Sequence, residues 1–152
     1  METNTPLIAL MGNPNSGKTA IFNLLTGMNQ KVSNYPGITV EKRKGTTLLA
    51  QNTQAEILDM PGTYSLTPES LDEKIVAQQV LEWIHGKEKP VAIISVVDGG
   101  NLSRNLYLTS QIMDLDIPVI VALNMMDRVK RKNQDINCQA LKKMLGAAAV
   151  VP

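Results

Sequence analysis

Apolar and polar positions along this chain change period from block to block. Residues 7–11 (Leu-Ile-Ala-Leu-Met) form a continuous apolar run bounded by Pro6 and Gly12, which predicts a buried strand. The same reading predicts strands over residues 45–50, 54–59, 91–98 and 119–124. Helical spacing predicts helices over residues 18–26, 71–85, 102–114 and 138–145. In the second of these, Ile75, Val76, Gln79, Val80 and Ile84 recur at helical spacing, and Asp72 near its start suits the helix dipole. Residues 91–97 are apolar on both faces, the mark of a central parallel strand covered by helices on each side. Repeated strand-then-helix units predict an α/β domain of three layers with a mostly parallel sheet. Ligands of such sheets sit at the carboxyl ends of the strands, where Asp59, Asp98 and Asn124 fall. Residues 27–44 and 60–70 show no helical period and read as long connections, which suit switches better than linkers.

Composition narrows the function without naming it. A chain of 152 residues, 43% apolar and 19% charged, predicts one core-forming domain. A net charge of +1 and only one Trp, three Tyr and one Phe argue against nucleic acid as a partner. Cys138 is alone, so no disulfide framework or cysteine metal site can form within the chain. Residues 1–5 carry no positive charge and do not read as a signal peptide. No apolar run approaches the roughly 20 residues of a spanning helix, so membrane insertion by this chain is not expected.

The chemistry lies in three motifs at strand ends. Gly12-Asn13-Pro14-Asn15-Ser16-Gly17-Lys18-Thr19 fits G-x-x-x-x-G-K-[ST] between a predicted strand and a predicted helix. Backbone N–H groups from Asn13 to Ala20 would cradle an oligophosphate at the helix N-terminus. Lys18 would reach the terminal phosphates, and the Thr19 hydroxyl would ligate Mg²⁺. Asp59-Met60-Pro61-Gly62 fits D-x-x-G: the carboxylate would hold Mg²⁺ through water, and Gly62 would turn its N–H to a γ-phosphate. Asn124-Met125-Met126-Asp127 fits N-x-x-D, where the Asp127 carboxylate can accept both N–H donors of guanine, a pair that adenine lacks. Met125 stands where this motif usually has lysine, which predicts modest affinity and fast release. Thr39, in the first long connection, is the candidate to complete the Mg²⁺ shell and sense the γ-phosphate. His85, Cys138 and Trp83 read as a helix end and packing, Trp83 as partly buried, and the basic runs 42–44 and 128–132 as solvated faces.

Together these residues resemble a Ras-like, translation-factor-class P-loop GTPase. Residues 12–19, 32–41, 59–66 and 97–108 resemble, more narrowly, the N-terminal G domain of the FeoB ferrous iron transporter. The resemblance runs from about Leu7 to Pro152 and includes Asn101–Leu108, which nucleotide binding alone does not dictate. It implies a G domain over residues 1–152 that binds GTP and GDP with Mg²⁺, held by Thr19, Thr39 and Asp59. Asn15, Lys18, Thr39 and Gly62 are the catalytic candidates it brings. It also implies a K⁺ site at Asn15, where the cation would act like an arginine finger; bracing of the loop is the other role open to that residue. Thr63 occupies the position of the water-orienting Gln of Ras-like enzymes, so hydrolysis is expected to be slow.

In the family, the G domain is followed by a helical regulatory domain and an Fe²⁺ permease region, and works from the cytoplasmic face of the bacterial inner membrane. The sequence is expected to stop at the threshold of the last strand, leaving a sheet edge unpaired and lacking the loop that contacts the base. Two further readings fit the motifs: a nucleotide-binding regulatory module with negligible turnover, and a ribosome-associated GTPase. Charge and aromatic content stand against the second.

Overall fold

The computed structural model describes residues 5–152; the first four residues of the N-terminal stretch read above lie outside the described residues. Seven strands form one sheet in the order β2-β3-β4-β1-β5-β6-β7. β1 (Leu7–Gly12) lies between β4 (Gln54–Asp59) and β5 (Ala92–Asp98), parallel to both. β6 (Val119–Asn124) and β7 (Ala149–Val151) extend the parallel side. The helices are α1 (Lys18–Thr26), α2 (Leu71–Ile84), α3 (Leu102–Met113), α4 (Met126–Arg131) and α5 (Cys138–Leu145).

The apolar run in β1 is continuous because each face of the sheet is covered. Side chains alternate along a strand, so Ile8 and Leu10 pack with Phe22 of α1, together with Ala55, Ile57 and Val96. Ala9 and Met11 join the larger cluster on the other face, with Val76, Val80 and Trp83 of α2 and Leu108 and Ile112 of α3. Trp83 is fully buried, where the sequence predicted partial burial. The indole fills this face beside Val80, and its Nε1 has no hydrogen-bond partner.

Four elements differ from expectation. Residues 27–44 are not one loop: β2 (Gln30–Asn34) and β3 (Glu41–Leu48) pair antiparallel, and β3 pairs antiparallel with β4. β2 is exposed at every position, so no apolar alternation announces it. β3 therefore begins four residues before the expected 45–50 strand. It keeps Gly45 where a Cβ would press into Thr26 of α1. On the other side of the sheet, β7 covers the edge of β6, with Ile120 opposite Ala149 and Ala122 opposite Val151. The last strand, expected to be missing, is present as three residues. Finally, α4 is only six residues long, too short to show a period.

α2 opens with a capping box. The Ser70 hydroxyl accepts from the Glu73 N–H (3.2 Å), and the Glu73 carboxylate accepts from the N–H groups of Ser70 (3.1 Å) and Glu69 (2.9 Å). Those two backbone bonds hold the Glu73 carboxyl below the usual carboxylate range. The stabilisation this gives is therefore present above the ordinary carboxylate pKa and is lost as pH falls through the lowered value. Ser70→Ala is expected to destabilise the protein by about 1 kcal/mol in urea unfolding at neutral pH. Acid should shrink that difference as Glu73 protonates.

Candidate functional site: a cleft at the carboxyl ends of the central strands

β1 ends at Gly12, and the chain turns into α1 through a tight loop closed by the Ser16 N–H donating to the Asn13 carbonyl (3.2 Å). Asn15 (φ 62°) and Gly17 (φ 90°) both adopt left-handed backbone there. A side chain on Gly17 would collide with the Asn124 carboxamide, so glycine is required for approach as well as for conformation. Asn124 Nδ2 donates to the Ser16 carbonyl (3.0 Å), tying the end of β6 to the phosphate loop. Gly17 caps α1 without a side-chain hydrogen bond, leaving the first-turn N–H groups and the positive end of the helix dipole for an anion.

A cleft of about 480 Å³ opens over this helix end. The loop residues Asn13, Pro14, Asn15, Gly17, Lys18 and Thr19 line it together with Gly62, Asp72 and Met125. Both polar atoms of the Asn13 side chain are buried without a partner, as is the Ser16 hydroxyl. Unpaired polar groups of this kind call for a partner or ordered water. Ala20 follows in the first turn of α1 and is exposed.

Strand register delivers Asp59 to the same place. Leu10 of β1 lies opposite Asp59 of β4, and Lys18 Nζ bonds Asp59 Oδ1 at 2.6 Å. The side chains are only 11% and 7% exposed, so two opposite charges are paired almost out of water. The following loop runs along β1: the N–H groups of Met60 and Thr63 donate to the carbonyls of Leu10 and Gly12. A Cβ on Gly62 would lie 3.1 Å from Pro14 Cα and N, so this glycine allows the close approach of the two loops. Thr63 is buried, its hydroxyl committed to the Ser65 carbonyl at 2.6 Å.

Not every predicted residue meets in the cleft. Thr39 stands exposed on the turn between β2 and β3 and does not line the cleft. The same loop is pinned four residues earlier by Tyr35, which is buried and donates its hydroxyl to Met60 Sδ (3.8 Å). Burial, then the negative charge of Asp59, pushes the Tyr35 phenol up to about 12. Asp127, in the first turn of α4, is also exposed and pairs with Arg131 (2.9 Å). Met125 adopts left-handed backbone (φ 57°) just before α4 and does line the cleft. Arg43, Lys44, Arg128 and Arg131 of the basic runs each pair with a carboxylate. Asp72 was read from the sequence only as a helix-dipole residue. Its position in the first turn of the helix that follows the D-x-x-G loop was the available sign that it borders the site.

The donor set fits a hard cation bound together with phosphates. Among the described residues no three His, Cys, Asp or Glu side chains cluster as a metal site. Thr19, which lines the cleft, and Asp59, bonded to Lys18, carry oxygen donors of the type Mg²⁺ prefers, in a number that would leave phosphate and water to complete a shell.

Residues 6–152 match the family model described as ferrous iron transport protein B. The chain is 46% identical over 145 residues to the Fe(2+) transporter FeoB of Legionella pneumophila (strain Lens), which is 93% of this chain and 18% of that protein. The chain thus spans less than a fifth of the length of the curated relatives it matches. The solved cytosolic domain of L. pneumophila FeoB superimposes with a TM-score of 0.87 at 46% identity, over 96% of this chain and 55% of that one. A GDP-bound mutant of the S. thermophilus FeoB G-domain gives 0.84 at 46% identity, over 96% of this chain and 53% of that one.

Proposed function

The chain belongs to the ferrous iron transport protein B family, and from that membership and the cleft we propose that it is the GTP-binding, slowly hydrolysing switch domain of an Fe²⁺ uptake protein. The observation that carries the reading is the buried Lys18–Asp59 pair beneath an uncapped helix N-terminus. Lys18 would exchange Asp59 for the β- and γ-phosphates. Asp59 would then hold a metal-bound water, Thr19 would ligate the metal, and N–H groups from Asn13 to Ala20 would wrap the phosphates. Mg²⁺ bound there supplies charge neutralisation across the phosphate oxygens. Thr39 must move inward to join it, which makes the β2–β3 turn a switch; Gly62 would present its N–H from the other loop. Asn124, Met125 and Asp127 would hold the guanine, with Met125 covering it by apolar contact in place of a cation.

Slow turnover is expected because Thr63 stands in place of a water-orienting Gln and its buried hydroxyl already donates to the Ser65 carbonyl. Asn15, on the cleft rim with left-handed backbone, is the proposed K⁺ ligand. Among the described residues no helix is long and apolar enough to cross a membrane. In the whole protein this domain, over residues 1–152, would gate Fe²⁺ import at the cytoplasmic face of the inner membrane, through a helical regulatory domain and the permease region. The test is a titration with fluorescent GDP and GTP analogues in Mg²⁺ buffer, competed by GTP and ATP, followed by single-turnover hydrolysis in K⁺ and in Na⁺. Guanine preference and faster turnover in K⁺ are expected. Equal competition by ATP would refute the guanine assignment, and equal rates in the two salts would remove the cation role of Asn15.

A further inference from the structure

The block 101–108 is not needed to cradle a phosphate or read a base, yet the structure places it against the loop that carries Gly62. The Arg104 guanidinium carbon sits 4.2 Å from the centroid of the Tyr64 ring. Seven residues further along α3, and so on the same face, Gln111 Oε1 accepts from the Leu66 N–H at 2.8 Å. Two contacts from one helix face thus hold residues 64 and 66, and the Thr63 hydroxyl closes the same stretch on Ser65.

The platform behind them is fixed. Asn105 is buried and bridges two elements, accepting from the Asp98 N–H (3.1 Å) and donating to the Asn101 carbonyl (2.9 Å). Thr109 and Ser95 share a buried hydroxyl bond of 2.9 Å that ties α3 to β5. Asp98 also bonds the Gly100 N–H (2.8 Å) and pairs with Arg128 of α4 (3.5 Å), so the same platform reaches the element that carries Asp127. By contrast, residues 67–70 are exposed up to the start of α2. The loop is thus held at Tyr64 and Leu66, just downstream of Gly62.

We propose that Arg104 and Gln111 are positioning residues: a two-point clamp from α3 that fixes the loop after Asp59 and thereby sets where the Gly62 N–H meets a γ-phosphate. This rests on the GTPase reading above and deepens it. GDP has no γ-phosphate, so the clamp should bear on hydrolysis and leave GDP affinity alone. Fixing a reacting geometry beforehand acts on the rate of the chemical step.

The experiment compares Arg104→Ala, Arg104→Lys, Tyr64→Ala, Tyr64→Phe, Gln111→Leu and the Arg104→Ala/Tyr64→Ala pair in the full chain. Loss of one cation–π contact predicts a single-turnover rate about three-fold lower in Arg104→Ala. Loss of the single hydrogen bond predicts a fall of about five-fold in Gln111→Leu. GDP affinity should stay within about two-fold, since no group bonded to GDP is altered. Arg104→Lys and Tyr64→Phe keep cation and ring and should retain most of the rate. The pair should be no worse than either alanine variant, because both delete one contact. Amide hydrogen exchange in the nucleotide-free protein gives an independent readout: residues 64–66 should exchange faster in Arg104→Ala and Gln111→Leu while β1 stays protected. Unchanged exchange at 64–66, unchanged hydrolysis in Arg104→Ala, or additive losses in the pair would each overturn the clamp. A wild-type chain that fails to bind GTP would sink the GTPase reading instead, and the exchange data would still decide whether the clamp exists.

Discussion

Lys18→Met is expected to weaken GTP binding by about 10- to 100-fold, because hydrogen bonds made by a charged group are worth roughly 1.5–3 kcal/mol. The same change should destabilise the nucleotide-free protein, since Asp59 is 7% exposed and Lys18 is its 2.6 Å partner. Removing one member of a buried ion pair leaves an uncompensated charge, typically costing about 3–5 kcal/mol. A second substitution, Asp59→Asn, replaces that charge by a neutral amide and should recover much of the lost stability without recovering nucleotide affinity. The two readouts therefore separate. Urea unfolding reports the pair, and titration with a fluorescent GTP analogue reports the phosphate contact.

The pair also makes binding conditional. For Lys18 to reach a phosphate it must leave Asp59, and the abandoned carboxylate then needs another positive partner. Mg²⁺ is the natural one, so wild-type affinity for GTP should fall steeply when the metal is chelated. In Lys18→Met/Asp59→Asn, where the exchange no longer takes place, the dependence on the metal should be weaker. Wild-type affinity and stability in Lys18→Met would remove both the phosphate contact and the proposed exchange.

Much of this was legible in the sequence for identifiable reasons. β1 and β6 sit in the sheet's interior, where both faces are covered, so their apolar runs survive in the sequence with sharp ends, and β4 beside β1 is marked by buried Ile57 and Leu58 ahead of Asp59. α1 and α5 end on glycines with left-handed backbone, Gly27 and Gly146, and their predicted bounds hold to the residue. β2 and the first half of β3 lie at the outer side of the sheet, pair through backbone hydrogen bonds and carry polar side chains such as Lys31, Ser33, Lys42 and Arg43, so periodicity marked only the part of β3 from Gly45 onward. β7 is held by three pairings in a stretch too short for any pattern. At the site, Lys18, Asp59 and Gly62 were legible because their spacing belongs to strand ends that the fold brings together. The anchoring of Tyr35 on Met60 was not, since a tyrosine between Asn34 and Pro36 gives no sign of which strand end it will meet. Asp127 is proposed from its motif and Thr39 from its place in the first long connection, and in the structure both stand in solvent.

Asp127→Asn is expected to lower GDP affinity by about 100-fold, since in the proposed role the carboxylate would make charge-assisted bonds to two guanine donors worth roughly 2–3 kcal/mol. Its exposure does not argue against this role. Its partner Arg131 is one helical turn away, and the side chains are 59% and 78% exposed. A surface pair of that kind contributes only about 0.3–0.5 kcal/mol, so releasing Arg131 to accept guanine is a small penalty. The position is also well anchored. α4 begins directly after Met125, and Asn124 is tied to the Ser16 carbonyl, so Asp127 keeps a fixed distance from the phosphate loop. A carboxamide at 127 would offer an N–H where guanine also presents N–H, a clash of donors. Xanthine carries a carbonyl at that edge, so xanthine nucleotide should bind Asp127→Asn better than wild type, while ATP should be indifferent to the change. Stability should move by less than about 0.5 kcal/mol, as expected for an exposed side chain. Competition titrations with GDP, xanthosine diphosphate and ADP measure all three affinities on one protein. A GDP-to-ADP ratio unchanged by Asp127→Asn would mean that the base is read elsewhere and that Asp127 serves only its pair with Arg131.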